Sequence, residues 1–241
     1  MKQTWLDSAY DWYVDNWLWD EWGYKGSWGR HLPEMILYYS VAGSAFLNDH
    51  AAESIVRRAR RGEPLPARRR RTFEGALKLA KTICLERETN PVDWFTGGSG
   101  DIVAGWQALD AIPNIGPEIA SFILRDLSFM RDYSTGDGRP FVRYRRGLGR
   151  RWYDILAPEL QALFIPIDVY VHSGARRVGA GSSFRTYSAN TIQTDVDLYR
   201  RAAREIVLWA RARELDPRDV DVYWYGVGSG SLQANGHRVP E

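Results

Sequence analysis

A single cysteine, Cys84, stands among 241 residues, so the chain cannot form an intramolecular disulfide. It also cannot hold a four-cysteine iron–sulfur cluster or a cysteine-rich structural zinc. Lysine is scarce: Lys2, Lys25, Lys78 and Lys81 are the whole set, and nothing after position 81 can supply a lysine amine. No apolar run is long enough to span a bilayer, because Glu, Asp, Arg or Gly interrupts each one. The first residues are acidic and aromatic rather than basic then apolar, so no secretory signal is expected and the sequence reads as cytoplasmic. Strand signals are few and internal repeats are lacking, which makes an all-α class the expectation. Cys84 itself falls in the helical pattern Ala76, Leu77, Ala80, Ile83, the setting of a buried, inert thiol.

The chain is long enough to bury a core without metal or disulfide support. A hydrophobic fraction of 44% with 26% charged residues is ordinary for a globular domain, but 11 Trp and 13 Tyr are not. Six of the Trp, at 5, 12, 17, 19, 22 and 28, crowd the N-terminal 30 residues. Trp5, Trp12 and Trp19 repeat at seven, as one face of a helix packed on the body, or as rings lining a pocket. The net charge of +2 hides local extremes. Between Arg57 and Arg71 there are eight Arg and one acid, Glu63; between Arg131 and Arg151 there are seven Arg against Asp132 and Asp137. Such runs are either solvated surface or a footprint for a phosphate backbone.

Periodicity and punctuation place the helices. Pro33 is expected to open a helix to about Phe46, and a second runs over about Asp49–Arg61. A third covers Arg71–Arg87 with Phe73, Leu77, Ala80 and Cys84 inward. Asp101 caps a short helix to Asp110. Residues 179–191 read as a polar loop, 194–213 as a long helix with Leu198, Ala202, Ile206 and Trp209 on one face, and 220–227 as a terminal helix.

Two stretches carry chemistry. In Asp110-Ala-Ile-Pro-Asn-Ile-Gly-Pro-Glu118, the breakers Pro113, Asn114 and Gly116 fall between helical patterns. Asn and Gly tolerate positive φ, so a tight hairpin is cheap here. Its backbone N–H groups, beside a helix N-terminus, suit an anion such as a phosphate. In Phe164-Ile-Pro-Ile-Asp168-Val-Tyr-Val171, one carboxylate sits among apolar neighbours ahead of a helix to Val178. Asp168 reads as an N-cap, or as a functional carboxylate that helix N–H groups keep ionised.

Taken in order, I-P-x-I-G-P and then P-[IV]-D-x-Y-V resemble the helix-hairpin-helix DNA glycosylase superfamily, over roughly 105–130 and 163–180. The resemblance implies one glycosylase domain over 1–241, built as two helical subdomains with an active-site cleft between them. The central subdomain would be 31–127, including the hairpin region 109–127. Residues 128–165 would be an insertion, and 1–30 with 166–241 the second subdomain. Asn114, Ile115, Gly116 and Pro117 match the DNA-holding hairpin, and Arg143, Arg145 and Arg146 in the insertion would add phosphate contacts. Asp168 matches the catalytic carboxylate, which stabilises the oxocarbenium-like sugar as the base leaves. Family members that also cut the strand carry a Schiff-base Lys two residues after the hairpin glycine. Here that position is Glu118, which cannot form an imine. The resemblance therefore implies a monofunctional enzyme with water as nucleophile and Glu118 as a second candidate catalytic group. Phe122, Asp221 and Trp224 are candidates for the pocket of a flipped-out base.

The cluster-free branch is similar to archaeal-type 8-oxoguanine glycosylases or to phage-defence glycosylases. The substrate would be an oxidised or damaged base, or a bulky phage-modified base such as glucosylated hydroxymethylcytosine. The expected partner is double-stranded DNA, met by a monomer, with no membrane. No cofactor or catalytic metal is expected, with the hairpin backbone as a place for a monovalent cation. Two alternatives stand beside this reading: a non-catalytic helix-hairpin-helix DNA-binding module, and a glycosylase with abasic-site lyase activity through Lys78 or Lys81.

Overall fold

Every residue from Leu32 to Tyr39 is buried, Glu34 included, and a helix buried on all sides belongs at the centre of its unit. That helix, α1 (Trp28–Ala42), begins before Pro33 rather than at it. Burial of the whole segment outweighs the one backbone hydrogen bond that Pro33 removes near the helix start. Its end also comes earlier than the periodicity suggests. Gly43 takes φ +73° and donates from N to Tyr39 O (2.8 Å), a left-handed C-cap that stops the helix. The structure, a computed structural model, describes residues 28–43, 50–86, 94–95, 99–133 and 153–229. Among these there is no strand, in agreement with the all-α expectation. Also among them, no helix is long and apolar enough to cross a membrane.

The chain divides into two compact units, Met1–Ile155 and Leu156–Glu241. In the first, α1 packs on α2 (His50–Arg60), α3 (Ala67–Lys81) and α5 (Pro117–Tyr133), and α5 pairs with α4 (Ser99–Asp110). Leu37, Tyr38, Ala52 and Val56 form one cluster, with Phe73 and Leu65 against it. The α3 helix starts four residues before Arg71 and passes at Thr82 into a π-helical turn, Thr82–Glu86. Thr72, Ala76, Leu79, Ala80 and Ile83 face inward. Leu77, expected inside, is 43% exposed and lines a groove of about 280 Å³ with Glu34, Ala59, Arg60 and Phe73. Between α4 and α5, Trp106 Nε1 donates to Ser121 Oγ (3.0 Å). Gly105 lies so close to Phe95 that any Cβ would strike the ring.

One polar cluster is sealed into this unit. Arg125 and Asp126 on α5 are buried, Arg125 Nε donates to Asp126 Oδ1 (3.1 Å), and Tyr39 on α1 donates its hydroxyl to Asp126 Oδ2. Burial pushes the Asp126 carboxyl up, while Arg125 and the Tyr39 bond oppose the rise.

In the second unit the spine is α10 (Val196–Arg211), started by Asp195, whose Oδ1 accepts from Leu198 N (2.9 Å). Its apolar face, from Leu198 through Tyr199, Ala202, Ala203, Ile206 and Val207 to Ala210, is buried. Against it lie α6 (Pro158–Gln161), the 3₁₀ turn Ala162–Phe164, α8 (Ser183–Thr186) and α9 (Ala189–Thr194). The expected loop over 179–191 is thus partly helical. Ser188 caps α9 by accepting from Thr191 N (3.1 Å), a local signal masked by the polar composition. The segment 156–164, expected as part of an insertion, is built into this unit's core through Leu163 and Phe164. Helix α7 (Val169–Val178) packs against α11 (Pro217–Ser229), where Gly174 leaves room for the Trp224 ring.

Candidate functional site

The hairpin after α4 is a tight, anchored reversal. Ile115 N donates to Ile112 O (2.9 Å), and the residue that takes left-handed geometry is Asn114, at φ +67°. Asn suits this position because its short amide can bond locally. Here the amide bonds to α3. Asn114 Nδ2 donates to Arg68 O (3.2 Å) and to Thr72 Oγ (3.0 Å), and Arg68 Nε donates to Asn114 Oδ1 (2.7 Å). Thr72 Oγ in turn donates to Pro113 O (2.7 Å). Gly75 lets the turn sit on the helix: a Cβ there would meet Ile112 Cγ2 at 3.1 Å and Pro113 Cδ at 3.3 Å.

Gly116, by contrast, has no internal requirement for glycine. Its φ is not left-handed, and a Cβ would meet nothing within 4 Å. Its carbonyl accepts from Ala120 N (3.0 Å), the pattern of an N-cap, and among the described residues its N–H finds no acceptor. Pro117 then opens α5, with Glu118 half-buried in the first turn where the helix dipole favours a carboxylate. Asp110, at the end of α4, is pushed up by burial.

The second locus is Asp168, the N-cap of α7. Its Oδ1 accepts from both Tyr170 N (2.8 Å) and Val171 N (2.6 Å). N-caps usually sit at the surface, but Asp168 is only 7% exposed and follows the buried run Leu163 to Ile167. The next two side chains, Val169 and Tyr170, are large and exposed, so the chain passes from the interior to the surface directly after Asp168. The approach to Asp168 is fixed from two directions. Tyr199 Oη on α10 accepts from Ile167 N (3.0 Å) and donates to Ile165 O (3.1 Å). Gln193 on α9 donates from Nε2 to Ile167 O (3.0 Å). One turn into α7, His172 is held by Tyr187 O at 2.9 Å, and its ring meets Phe184 edge-on. Sequence reading missed Tyr199 and Gln193, which lie more than 20 positions from the segment they hold and carry no local signal.

The other expected site residues are distributed as follows. Phe122 is buried beneath the Arg125 guanidinium, 4.8 Å from the ring centroid. Asp221 is fully buried, and Trp224 packs on Trp209 at 5.5 Å. All three are buried side chains in this structure. Phe122 continues the apolar stripe of α5, and Trp224 fills the space above Gly174. Arg143, Arg145 and Arg146 lie outside the described residues, as do the N-terminal Trp residues up to Trp22. The hairpin belongs to the first unit and Asp168 to the second.

The first Arg run is mostly paired. Arg57 meets Glu53 (3.3 Å), Arg58 and Arg61 meet Glu63 (3.7 and 2.7 Å), Arg60 meets Glu34 (2.8 Å) and Arg70 meets Glu74 (3.8 Å). Arg69 turns inward to Ser40 O (2.5 Å), and burial together with Arg68 holds its guanidinium below its ordinary value. For the monovalent cation expected at the hairpin, the carbonyls of Ile112 and Pro113 already accept from Ile115 N and Thr72 Oγ. Among the described residues no group of three His, Cys, Asp or Glu could hold a metal. Comparison with protein-family models, curated proteins and solved structures returns no match, so the likeness rests on the residues of the two motifs.

Proposed function

We propose that this chain is a monofunctional DNA glycosylase, with Asp168 as its essential carboxylate and the Pro113–Pro117 hairpin as a phosphate-holding element. The observation that carries the reading is the burial of Asp168 at a helix N-terminus, beside exposed Val169 and Tyr170. A carboxylate held there stabilises the positive charge that develops on the sugar as the C1′–N bond breaks. Water adds to C1′ and loses a proton, and the base leaves with the bonding electron pair and takes up a proton. The lack of a lysine at Glu118 favours water over an amine. Lys78 and Lys81 remain the amines for a lyase reaction, and both lie on the exposed side of α3. The substrate is a modified base in double-stranded DNA, repair and phage defence differing only in which base is released.

A second reading has an observation of its own. The two bonds to Oδ1 satisfy Asp168 as a simple cap, so a non-catalytic DNA-binding module would show the same geometry. The substitution Asp168→Asn separates the two. Asn caps helices as well as Asp and retains the acceptor that Tyr170 N and Val171 N use, but it has no charge to give a sugar cation. The expected result is near-wild-type stability and DNA binding, with base release lost by several orders of magnitude. Release is read by mass spectrometry from oxidised, alkylated, deaminated and phage-modified DNA. Sodium borohydride trapping of a protein–DNA adduct would instead favour the lyase. Release by the variant at the wild-type rate overturns the assignment of Asp168, and no release from any DNA by the wild type leaves the binding module.

A further inference from the structure

The charges on α3 are not distributed at random around the hairpin. Arg68, Thr72 and Gly75 form the face that the hairpin rests on. At about 100° per residue, Arg71 and Lys78 fall within roughly 60° of Gly75, on the flank of that face, whereas Arg70 lies about 140° away. On the far side the cations are paired, Arg70 with Glu74 and Lys81 with Glu86 (3.9 Å). On the hairpin side they are not. Arg71 and Lys78 are exposed and meet no carboxylate among the described residues. Arg68 gives its Nε to the neutral amide of Asn114, which fixes the guanidinium beside the turn without neutralising it.

From this arrangement we infer that Arg68, Arg71 and Lys78 form an edge of α3 that continues the hairpin as a track for one DNA strand. The inference rests on the DNA-binding reading above and adds the surface that carries the backbone. From Arg68 to Lys78 the helix rises about 15 Å. A DNA strand advances about 3.4 Å per phosphate along the duplex axis while winding around it, so a straight edge of this length reaches at most about four phosphates, and fewer where the strand curves away. The hairpin supplies the Gly116 N–H with no side chain in front of it, and the edge supplies long cations that contact phosphate and read no base. Lys78 is then a backbone contact rather than an imine-forming amine. Nothing comparable is available from Arg57, Arg58, Arg60 and Arg61, each engaged with Glu53, Glu63 or Glu34.

The test uses the full chain and a fluorescein-labelled duplex without modified bases, with anisotropy followed from about 50 to 200 mM salt. Arg71→Gln with Lys78→Gln should lower the slope of log affinity against log salt by about 1.8, the value for two lost phosphate contacts. Over that fourfold range the wild type should then lose about tenfold more affinity than the variant. Arg57→Gln with Arg70→Gln removes the same charge from paired positions and should leave the slope unchanged. Equal slope changes in both variants would mean diffuse attraction and overturn the track. An unchanged slope in the first variant, with tight binding by the wild type, places the edge off the DNA while the glycosylase reading stands. No binding by the wild type at the lowest salt overturns the track, and base release by the same protein then decides whether the glycosylase reading falls with it.

Discussion

Asn114 bears two loads at once, and two substitutions separate them. Its backbone sits at φ +67°, and its amide makes three hydrogen bonds to Arg68 and Thr72. Asn114→Gly keeps a residue at ease in left-handed geometry but loses the amide. Partly exposed hydrogen bonds contribute about 0.5–1.5 kcal/mol each, and the two exposed Arg68 bonds fall at or below the low end, so the expected cost is roughly 1–2 kcal/mol. Asn114→Ala loses the same bonds and forces a Cβ into the left-handed region, for about 1–2 kcal/mol more. The Ala variant should therefore lose about 2–4 kcal/mol, and the gap between the two variants isolates the backbone term.

Urea titrations followed by tryptophan fluorescence and by helical circular dichroism give both numbers. They should be fitted with two transitions if the probes do not coincide, since the chain has two compact units. At about 2–4 °C per kcal/mol for a chain of this size, the Ala variant should melt roughly 4–16 °C lower. Equal stabilities for the two variants would show that Asn114 is not held at positive φ in solution. A loss below about 0.5 kcal/mol for both would show that its amide does not anchor the hairpin to α3.

The remaining expectations bear on the two ends of the proposed machinery. Gly116→Thr should leave stability within about 0.5 kcal/mol of wild type, because its Cβ meets open space and Thr caps helices about as well as Gly. The same change should weaken binding to every duplex alike by blocking approach to the backbone, and unchanged affinity would take phosphate off the hairpin. Tyr199→Phe removes two of the three bonds that fix the approach to Asp168 and leaves the Ile167 N–H buried without its acceptor, at a cost of about 1–3 kcal/mol. As a positioning residue, Tyr199 should affect the rate of base release more than DNA affinity, and an equal loss in both would make its role purely one of stability.

What was legible in the sequence had local causes. Helix α7 was expected to run to Val178 with Asp168 as its cap, and it spans Val169–Val178 with that cap in place. An acceptor before an apolar run, with a glycine after it, says as much without reference to the rest of the chain. The hairpin was legible for the same reason, although Asn114 rather than Gly116 takes the left-handed turn. What escaped depends on neighbours remote in sequence. Pro33 fails to start α1 because burial of Leu32–Tyr39 overrides it. Leu77 turns outward because the inward face of α3 is set by Thr72, Ala76, Leu79 and Ala80. Phe122 and Trp224 sit at helical positions that the sequence could assign to a pocket or to a core, and both are buried, one under Arg125 and the other above Gly174.

Charge runs raise the same problem most sharply, because composition cannot say which cations are already answered. Eight Arg between positions 57 and 71 look like one basic patch. Five of them meet glutamates at 2.7–3.8 Å. Four of these pairs are largely exposed and contribute at most about 1 kcal/mol each, whereas Arg60 answers the buried carboxylate of Glu34. Their effect is on the field outside the protein: a paired Arg offers a passing phosphate a dipole, and an unpaired one offers a full charge. A chain with a net charge of only +2 cannot attract DNA by its overall charge, so any attraction must come from where the pairing fails. On α3 it fails along the flank that holds the hairpin, at Arg68, Arg71 and Lys78. The residue that completes that edge is a lysine outside the Arg run altogether, brought to the same side by ten residues of helix.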